Sequence, residues 1–387
     1  MEISIVVVAY NRIKSLKRIL DSLSNADYQN EKINLVISID GPKKNMDNSQ
    51  IVRLAEEFNW VHGEKRIIKH NGNIGLKKHI LKCGDLTNEY GNIILLEDDL
   101  FVSPYFYEYA KQTLEYYKDE KSIAGISLFN HCYNETAQLP FFPIETGHDV
   151  YFMQIASSWG QIWNKRMWFE FRNWLADHEY ISNKEKIPLD VLKWPASSWK
   201  KHFIHYLIKE KKYFVYPRIS LTTNFMDVGT HHKSKAFILQ QPLNYGFKEY
   251  KLTKIEDSLS VYDAFCEILP SRIKKMNNKL SIYDFEVDLY GQKDISKINS
   301  KYILTHSKCL NYEMGFGLDF KPLEMNIILN NDGDFFKLIL KEKAKKKNDD
   351  ELIRYEYFYK YLSKNTLKLI MKKIVINNSR IWKKICE

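Results

Sequence analysis

Short runs with no polar side to turn toward water constrain this chain most. Ile3–Ala9 (ISIVVVA), Leu35–Ile39 (LVISI), Asn92–Leu96 (NIILL) and Ile123–Ser127 are β-branched or aliphatic almost throughout. A strand that alternates apolar and polar residues has one wet face. A strand that does not alternate is buried on both faces, as in a parallel sheet covered by helices. The segments between carry the helical period. Leu16, Ile19, Leu20 and Leu23 fall at i, i+3, i+4 and i+7, and Ile51, Leu54, Ala55 and Phe58 mark a second apolar face. Arg66–Lys69 reads as a further short strand, and Asn73-Ile74-Gly75 opens a helical stretch through Lys77 and His79. Ser103-Pro104 has the residues of a helix start, Ser at the cap and Pro at the first turn. This alternation predicts an α/β domain with a mostly parallel sheet. Ligands of such sheets bind beyond the carboxyl ends of the strands. Asn11-Arg12, Asp40 and Glu97-Asp98-Asp99 stand at three such ends.

Composition narrows the class. The 387 residues are 44% hydrophobic and 27% charged, which excludes a mostly disordered chain. No apolar run reaches the ~18–20 residues of a membrane span. The opening run is short and follows Glu2 rather than a basic stretch, so no secretory leader is expected and the reading is cytoplasmic. The five cysteines are scattered and form no CxxC pair, which fits a reducing compartment and argues against a zinc site. The net charge of +10 is concentrated after residue 340, and no nucleic-acid-binding module is present, so nucleic acid is not an expected partner.

Three consecutive acids directly after a buried apolar strand are costly unless a positive group sits among them. Hard carboxylate oxygens at a strand end suit Mg²⁺ or Mn²⁺, which keep several waters and share their shell with substrate phosphates. Asp40 is either a turn residue in Asp-Gly-Pro or an acceptor for a base N–H or a ribose hydroxyl. Arg12 is either a surface base or a fork for phosphate.

With IVVVAYNRIKSLKRILDSL, LVISIDGP, NIGLKKHI and NIILLEDDLFVSPYFYEYA the chain resembles the GT-A-fold, nucleotide-sugar-dependent glycosyltransferases. It is similar to family-two-like bacterial enzymes of polysaccharide assembly. In motif it is similar to the N-acetylglucosaminyltransferases that begin complex N-glycan branches. The likeness continues through SSWGQIWNKRMW, KWPASSW and YPRISLTTNFMDVGTHH, to about residue 235. It implies a GT-A (Rossmann-like) sheet and a UDP-sugar donor, UDP-GlcNAc or a relative, with Mn²⁺ or Mg²⁺ as cofactor. Asp99 would bind the metal, Glu97 touch the sugar and Asp98 the ribose side. Asp40 would meet the uracil with His79 nearby, and Ala9, Asn11 and Arg12 would line the donor site, Arg12 on the diphosphate. A late His completes the metal shell in many such enzymes, and here His231 is the candidate.

One position departs from the resemblance. In relatives an Asp follows the equivalent of Trp199 and serves as general base of an inverting displacement; here Lys200, Lys201 and His202 follow. His202, or Asp190 in PLDVLKW, is then the expected base.

The expected organisation is a GT-A domain over 1–240, a smaller accessory unit over 241–340 and a basic helical tail over 341–387. In the domain, the Trp-rich stretch 150–235 reads as helices and loops over the sheet, with one more strand at Tyr213–Pro217. In the tail, Leu367, Ile370, Met371, Ile374, Ile381 and Ile385 recur at helical spacings among lysines. Such a helix either meets an anionic membrane surface or docks on its own protein. The expected function is a metal-dependent, inverting glycosyltransferase extending a bacterial surface glycan, with a lipid-linked acceptor at the inner face of the membrane as one form. The rival is a catalytically silent glycan-binding or scaffold protein. A sugar nucleotidyltransferase is disfavoured because AYNRIKSLKR lacks a glycine-rich loop.

Overall fold

The computed structural model describes residues 2–44, 46–225, 227, 240–344, 354, 357, 363–369 and 371–375. Strands β1 (Ser4–Ala9), β2 (Leu35–Ile39), β3 (Lys65–Lys69) and β4 (Asn92–Glu97) occupy the expected runs. Helix α1 (Ile13–Ser24) follows β1, α2 (Ser49–Glu57) follows β2, and α3 (Leu76–Gly84) with one-turn α4 (Thr87–Tyr90) joins β3 to β4. Every residue of β1 and β2 is buried, as their unalternating sequence requires. The α1 stripe Leu16, Ile19, Leu20 and Leu23 is buried too. Each such side chain removed from water contributes ~1.5–3 kcal/mol.

Next come β5 (Leu100–Val102), α5 (Phe106–Tyr117), β6 (Ile123–Ser127) and a small hairpin, β7 (Tyr133–Asn134) and β8 (Leu139–Pro140). Helix α5 begins later than Ser103-Pro104 promises. The Ser103 hydroxyl accepts from the Tyr105 N–H and donates to the Asn244 carbonyl, closing a turn ahead of the helix. Then follow β9 (Val150–Met153), β10 (Gln161–Asn164), α6 (Lys165–Asp177), α7 (Leu189–Lys193), α8 (Trp199–Lys209), β11 (Tyr213–Pro217), β12 (Thr222–Asn224) and β13 (Val261–Tyr262).

The main sheet has nine strands in the order β13-β9-β11-β6-β10-β4-β1-β2-β3. Five of its eight pairings are parallel and three antiparallel. Besides the expected β11, the Trp-rich stretch therefore supplies three strands, β9, β10 and β12, as well as helices, a correction to the reading of helices and loops. VYFM and QIWN are too short to show a period, and tertiary pairing alone makes them strands. Antiparallel β10 slots between β4 and β6.

The boundary expected near residue 240 does not divide the sheets. Val261–Tyr262 pairs with β9 as the ninth strand. The C-terminal part has α9 (Pro270–Met276), β14 (Phe285–Asp288), β15 (Tyr302–Thr305), β16 (Met314–Phe316), α10 (Met325–Ile328) and β17 (Phe336–Leu340). Its strands form a separate four-stranded sheet, β14-β15-β17-β16. One apolar core nevertheless runs from Ile5 through Tyr262 to Val287 and Leu338, so the two sheets share an interior.

Candidate active site

Strand order reverses at β1, whose neighbours are β2 on one side and β4 on the other. The crevice beyond the carboxyl ends at such a reversal is where open α/β sheets bind ligands. The three ends are level. The Asp98 N–H donates to the Val8 carbonyl (3.1 Å) and the Asp40 N–H to the Ala9 carbonyl (2.9 Å). Ala9 itself is buried, and Asn11 is exposed at the rim.

Arg12, at the start of α1, brings the first and fourth strand ends together. Its guanidinium donates to Asp99 Oδ2 (2.9 Å) and is paired with Asp98 through its other terminal nitrogen. Burial alone would lower its pKa; Asp98 and Asp99 more than reverse that and keep it charged. The cluster still carries more negative charge than Arg12 offsets. Asp98 is 3% exposed and its Oδ2 has no partner among the described residues. Burial pushes Asp98 up to about 6, with Arg12 opposing. The Glu97 side chain has no hydrogen bond or ion pair among the described residues; burial, then Asp99 and Asp98, push it up to about 8. Lys200, in the first turn of α8, is close enough for its charge to offset part of that rise.

A second layer holds Asp99 from behind. Antiparallel pairing of β12 with β5 sets Asn224 opposite Leu100. The Asn224 side-chain amide then donates to Asp99 Oδ1 (3.3 Å), and the Phe225 N–H to the Asp99 carbonyl (3.0 Å). Arg18, on α1, also donates to that carbonyl (3.4 Å). Its guanidinium lies 3.9 Å from the Phe225 ring centre and is ion-paired with Asp227, which also accepts from Ser15 Oγ (2.7 Å). Ser15, Arg18, Asn224 and Asp227 were not singled out from the sequence as site residues. Apart from the i, i+3 spacing that puts Ser15 and Arg18 on one face of α1, nothing local marks them. Their partners lie from 81 to 212 positions away.

Asp40 is 4% exposed and its carboxylate is fully engaged. Oδ1 accepts from the Gly41 and Ile74 N–H groups, Oδ2 from the Gly75 N–H and the Asn73 side chain, all within 3.1 Å. It pins the turn that launches α3. That turn needs its glycine, since Gly75 has φ +81°. Gly41 passes so close to the Gly72 backbone that a Cβ would sit 2.4 Å from it. His79 lies beneath, 2% exposed, with Nε2 2.7 Å from Ser38 Oγ. Burial pushes it down to about 4, so it is neutral.

The two candidate bases are bonded to other groups. His202 is 1% exposed in α8, and its Nε2 is 3.1 Å from both Lys77 Nζ and the Ala196 carbonyl. Burial lowers its pKa. Asp190 is part-exposed on α7 and paired with Lys193 at 3.3 Å. Neither makes a hydrogen bond or ion pair with Glu97, Asp98 or Asp99 among the described residues. His231 lies outside the described residues.

No group of three or more His, Cys, Asp or Glu side chains forms a metal cage among the described residues. The donor set still fits Mn²⁺ or Mg²⁺ bound through a diphosphate, which asks one or two carboxylates of the protein. The unpartnered Asp98 oxygen and the excess charge around Asp99 are the observations that fit.

No family model matches the chain, and no curated protein matches it. Among solved structures, the chain is similar to the mannosyltransferase PcManGT from Pyrobaculum calidifontis in complex with GDP-Man and Mn2+. That match has 11% identity and a TM-score of 0.32, over 45% of this chain and 46% of that one. It is also similar to S. aureus TarS 1-349 in complex with UDP-GlcNAc, at 15% identity and a TM-score of 0.33, over 56% of this chain and 58% of that one. The match with S. aureus TarS covers 57% of this chain and 37% of that one, at 14% identity and a TM-score of 0.30. The chain thus spans less than two thirds of these neighbours.

Proposed function

We propose that this chain is a metal-dependent glycosyltransferase that moves a sugar from a UDP-sugar, UDP-GlcNAc or a relative, to a hydroxyl of a growing bacterial surface glycan. The observation that carries the reading is the under-neutralised Glu97-Asp98-Asp99 cluster, bridged by Arg12 at the strand-order reversal. The motif resemblance supports the donor class. Asp99 and Asp98 would hold the divalent ion, and when bound it supplies Lewis-acid stabilisation of the departing diphosphate. Arg12 offers a planar fork to phosphate oxygens. Asn224 and Arg18 keep Asp99 from rotating away, and the Asp40-pinned turn shapes the base side. A lipid-linked acceptor at the cytoplasmic face of the membrane is one form of that glycan. Among the described residues no helix is long and apolar enough to cross a membrane.

The displacement inverts the anomeric centre, with the acceptor proton taken by His202 or Asp190. His202→Ala should lower kcat by ~10²–10⁴ with donor binding unchanged while Asp190→Asn does little. The reverse ranking moves the role to Asp190. Because both groups are engaged elsewhere, a second reading is a glycan-binding protein that keeps the donor site without transfer. The test is a thermal-shift screen of UDP-, GDP-, CMP- and dTDP-sugars with Mn²⁺, followed by UDP release with acceptor. Selective stabilisation by UDP-sugars of a few kcal/mol supports the donor site. Release then separates enzyme from binder, and no stabilisation by any donor overturns both.

A further inference from the structure

The tail presents a helix that no part of the protein covers among the described residues. Residues 364–369 and 371–375 are helical, with Ser363 as cap: its hydroxyl accepts from the Thr366 N–H (3.1 Å). Apart from half-buried Thr366, every described residue from 363 to 375 is exposed. Leu367 is 48% exposed, Met371 67% and Ile374 54%, and at i, i+4 and i+7 they share one face. Lys364, Lys368, Lys372 and Lys373 stand on or flank the rest of the helix. Onward in sequence, Arg380, Lys383 and Lys384 add cations and Ile381, Trp382 and Ile385 add apolar residues, with no acid between Ser363 and Glu387.

The root of this helix is fixed on the protein. Arg354 donates to the Ala137 carbonyl and the Gln138 side chain, both at 3.1 Å, and Lys321 Nζ lies 4.1 Å from the Tyr357 ring centre. Ala137 and Gln138 form the turn of the β7–β8 hairpin, which runs from the carboxyl end of β6 to the start of β9. Strand β6 is antiparallel to β10, and β10 to β4, so the carboxyl ends of β6 and β4 share one edge of the sheet. The hairpin therefore leaves the edge that holds Glu97-Asp98-Asp99. Five residues lie between Tyr357 and Ser363, so the six steps reach ~20 Å at most.

We propose that the helix of residues 364–369 and 371–375 docks this protein on an anionic lipid surface, with the sheet edge that carries the acid cluster turned toward the bilayer. Charge complementarity selects the occupant. A second copy of the same helix would bring four lysines against four, whereas anionic headgroups neutralise them while the acyl boundary takes Leu367, Met371 and Ile374. The inference does not depend on the transfer reaction.

Co-sedimentation of the full chain tests it, using vesicles of phosphatidylglycerol mixed with phosphatidylcholine and of phosphatidylcholine alone. The chain should sediment with the mixed vesicles, remain in solution with the neutral ones, and be released by high salt. Each Lys→Gln change should weaken binding about fivefold, so the variant changed at 364, 368, 372 and 373 should lose several hundredfold. Leu367→Ser with Ile374→Ser should also weaken it. Both variants should keep the parental melting temperature, since the altered side chains are exposed. Equal binding to neutral vesicles, unchanged binding by the lysine variant, or no sedimentation overturns the proposal. A lowered melting temperature would return the helix to its own protein. Concentration-dependent dimerisation abolished by the Leu367/Ile374 change would assign the face to a second copy.

Discussion

Two buried acid clusters in this molecule follow opposite rules. In the C-terminal part, Lys293 is enclosed and lies 2.6 Å from both Asp263 and Glu286. Asp263 Oδ1 also accepts from the Phe265 and Glu267 N–H groups, Asp288 Oδ1 from those of Gln292 and Lys293, and Glu267 from that of Tyr290. At the strand-order reversal, by contrast, Asp98 keeps a buried oxygen without a partner among the described residues, and the half-buried Glu97 side chain has no hydrogen bond or ion pair there. Burial and negative charge are common to both. What separates a candidate site from a structural brace is whether the protein itself completes the hydrogen bonding.

The largest expected effect tests the unfinished cluster. Asp99→Ala should lower transfer by 10³-fold or more, ~4 kcal/mol, and abolish Mn²⁺-dependent stabilisation by donor, with the melting temperature of the free protein unchanged. Full activity of this variant in EDTA would remove Asp99 from the metal role.

The finished cluster should respond in stability instead. Lys293→Met strands Asp263 and Glu286 without their cation and should cost ~3–5 kcal/mol in urea unfolding. A loss under ~1 kcal/mol would mean that the acids there are as self-sufficient when protonated, and the contrast would collapse.

The seam between the two parts should show in pH. Glu324 accepts from the Tyr262 hydroxyl at 2.7 Å, and burial pushes its pKa up to about 7. A carboxyl whose folded pKa lies above its unfolded value holds extra protons in the folded state. Its contribution is then complete below the unfolded value near 4.5 and is lost as pH rises to about 7. Glu324→Gln should flatten that slope, worth up to ~3 kcal/mol, in melting curves across the window. An unchanged slope would place its origin elsewhere.

The smallest effect has the opposite sign. Glu97→Gln replaces a carboxyl that burial and its acidic neighbours force toward the protonated form on folding, and should stabilise the free protein by ~1 kcal/mol near neutral pH while weakening activity. Destabilisation would show that Glu97 already has a partner of its own.

The acid triplet was legible in the sequence because three charges after NIILL conflict with the burial of that strand. Helix α1 was legible because its stripe repeats within one element. Asp40 was visible as a strand-end acid, but its engagement with the 73–75 turn was not. That clamp needs two loops about 30 positions apart to meet. Arg18, Asn224 and Asp227 left no mark at all, since an arginine on a helix face is ordinary until the chain returns to it some 200 residues later.

The sequence by itself determined the buried strands, the helical faces and which strand ends carry charge, because periodicity and desolvation act over a few neighbouring residues. The tertiary structure decided the antiparallel insertion of β10, the ninth strand from beyond residue 240, and which acids are satisfied. Those outcomes depend on distant backbone and side-chain groups arriving within 3 Å or so, and hydrogen-bond partners are chosen by that geometry. It also decided that the tail helix stands exposed among the described residues. An amphipathic pattern states that an apolar face needs a partner, and only packing shows whether the protein supplies one.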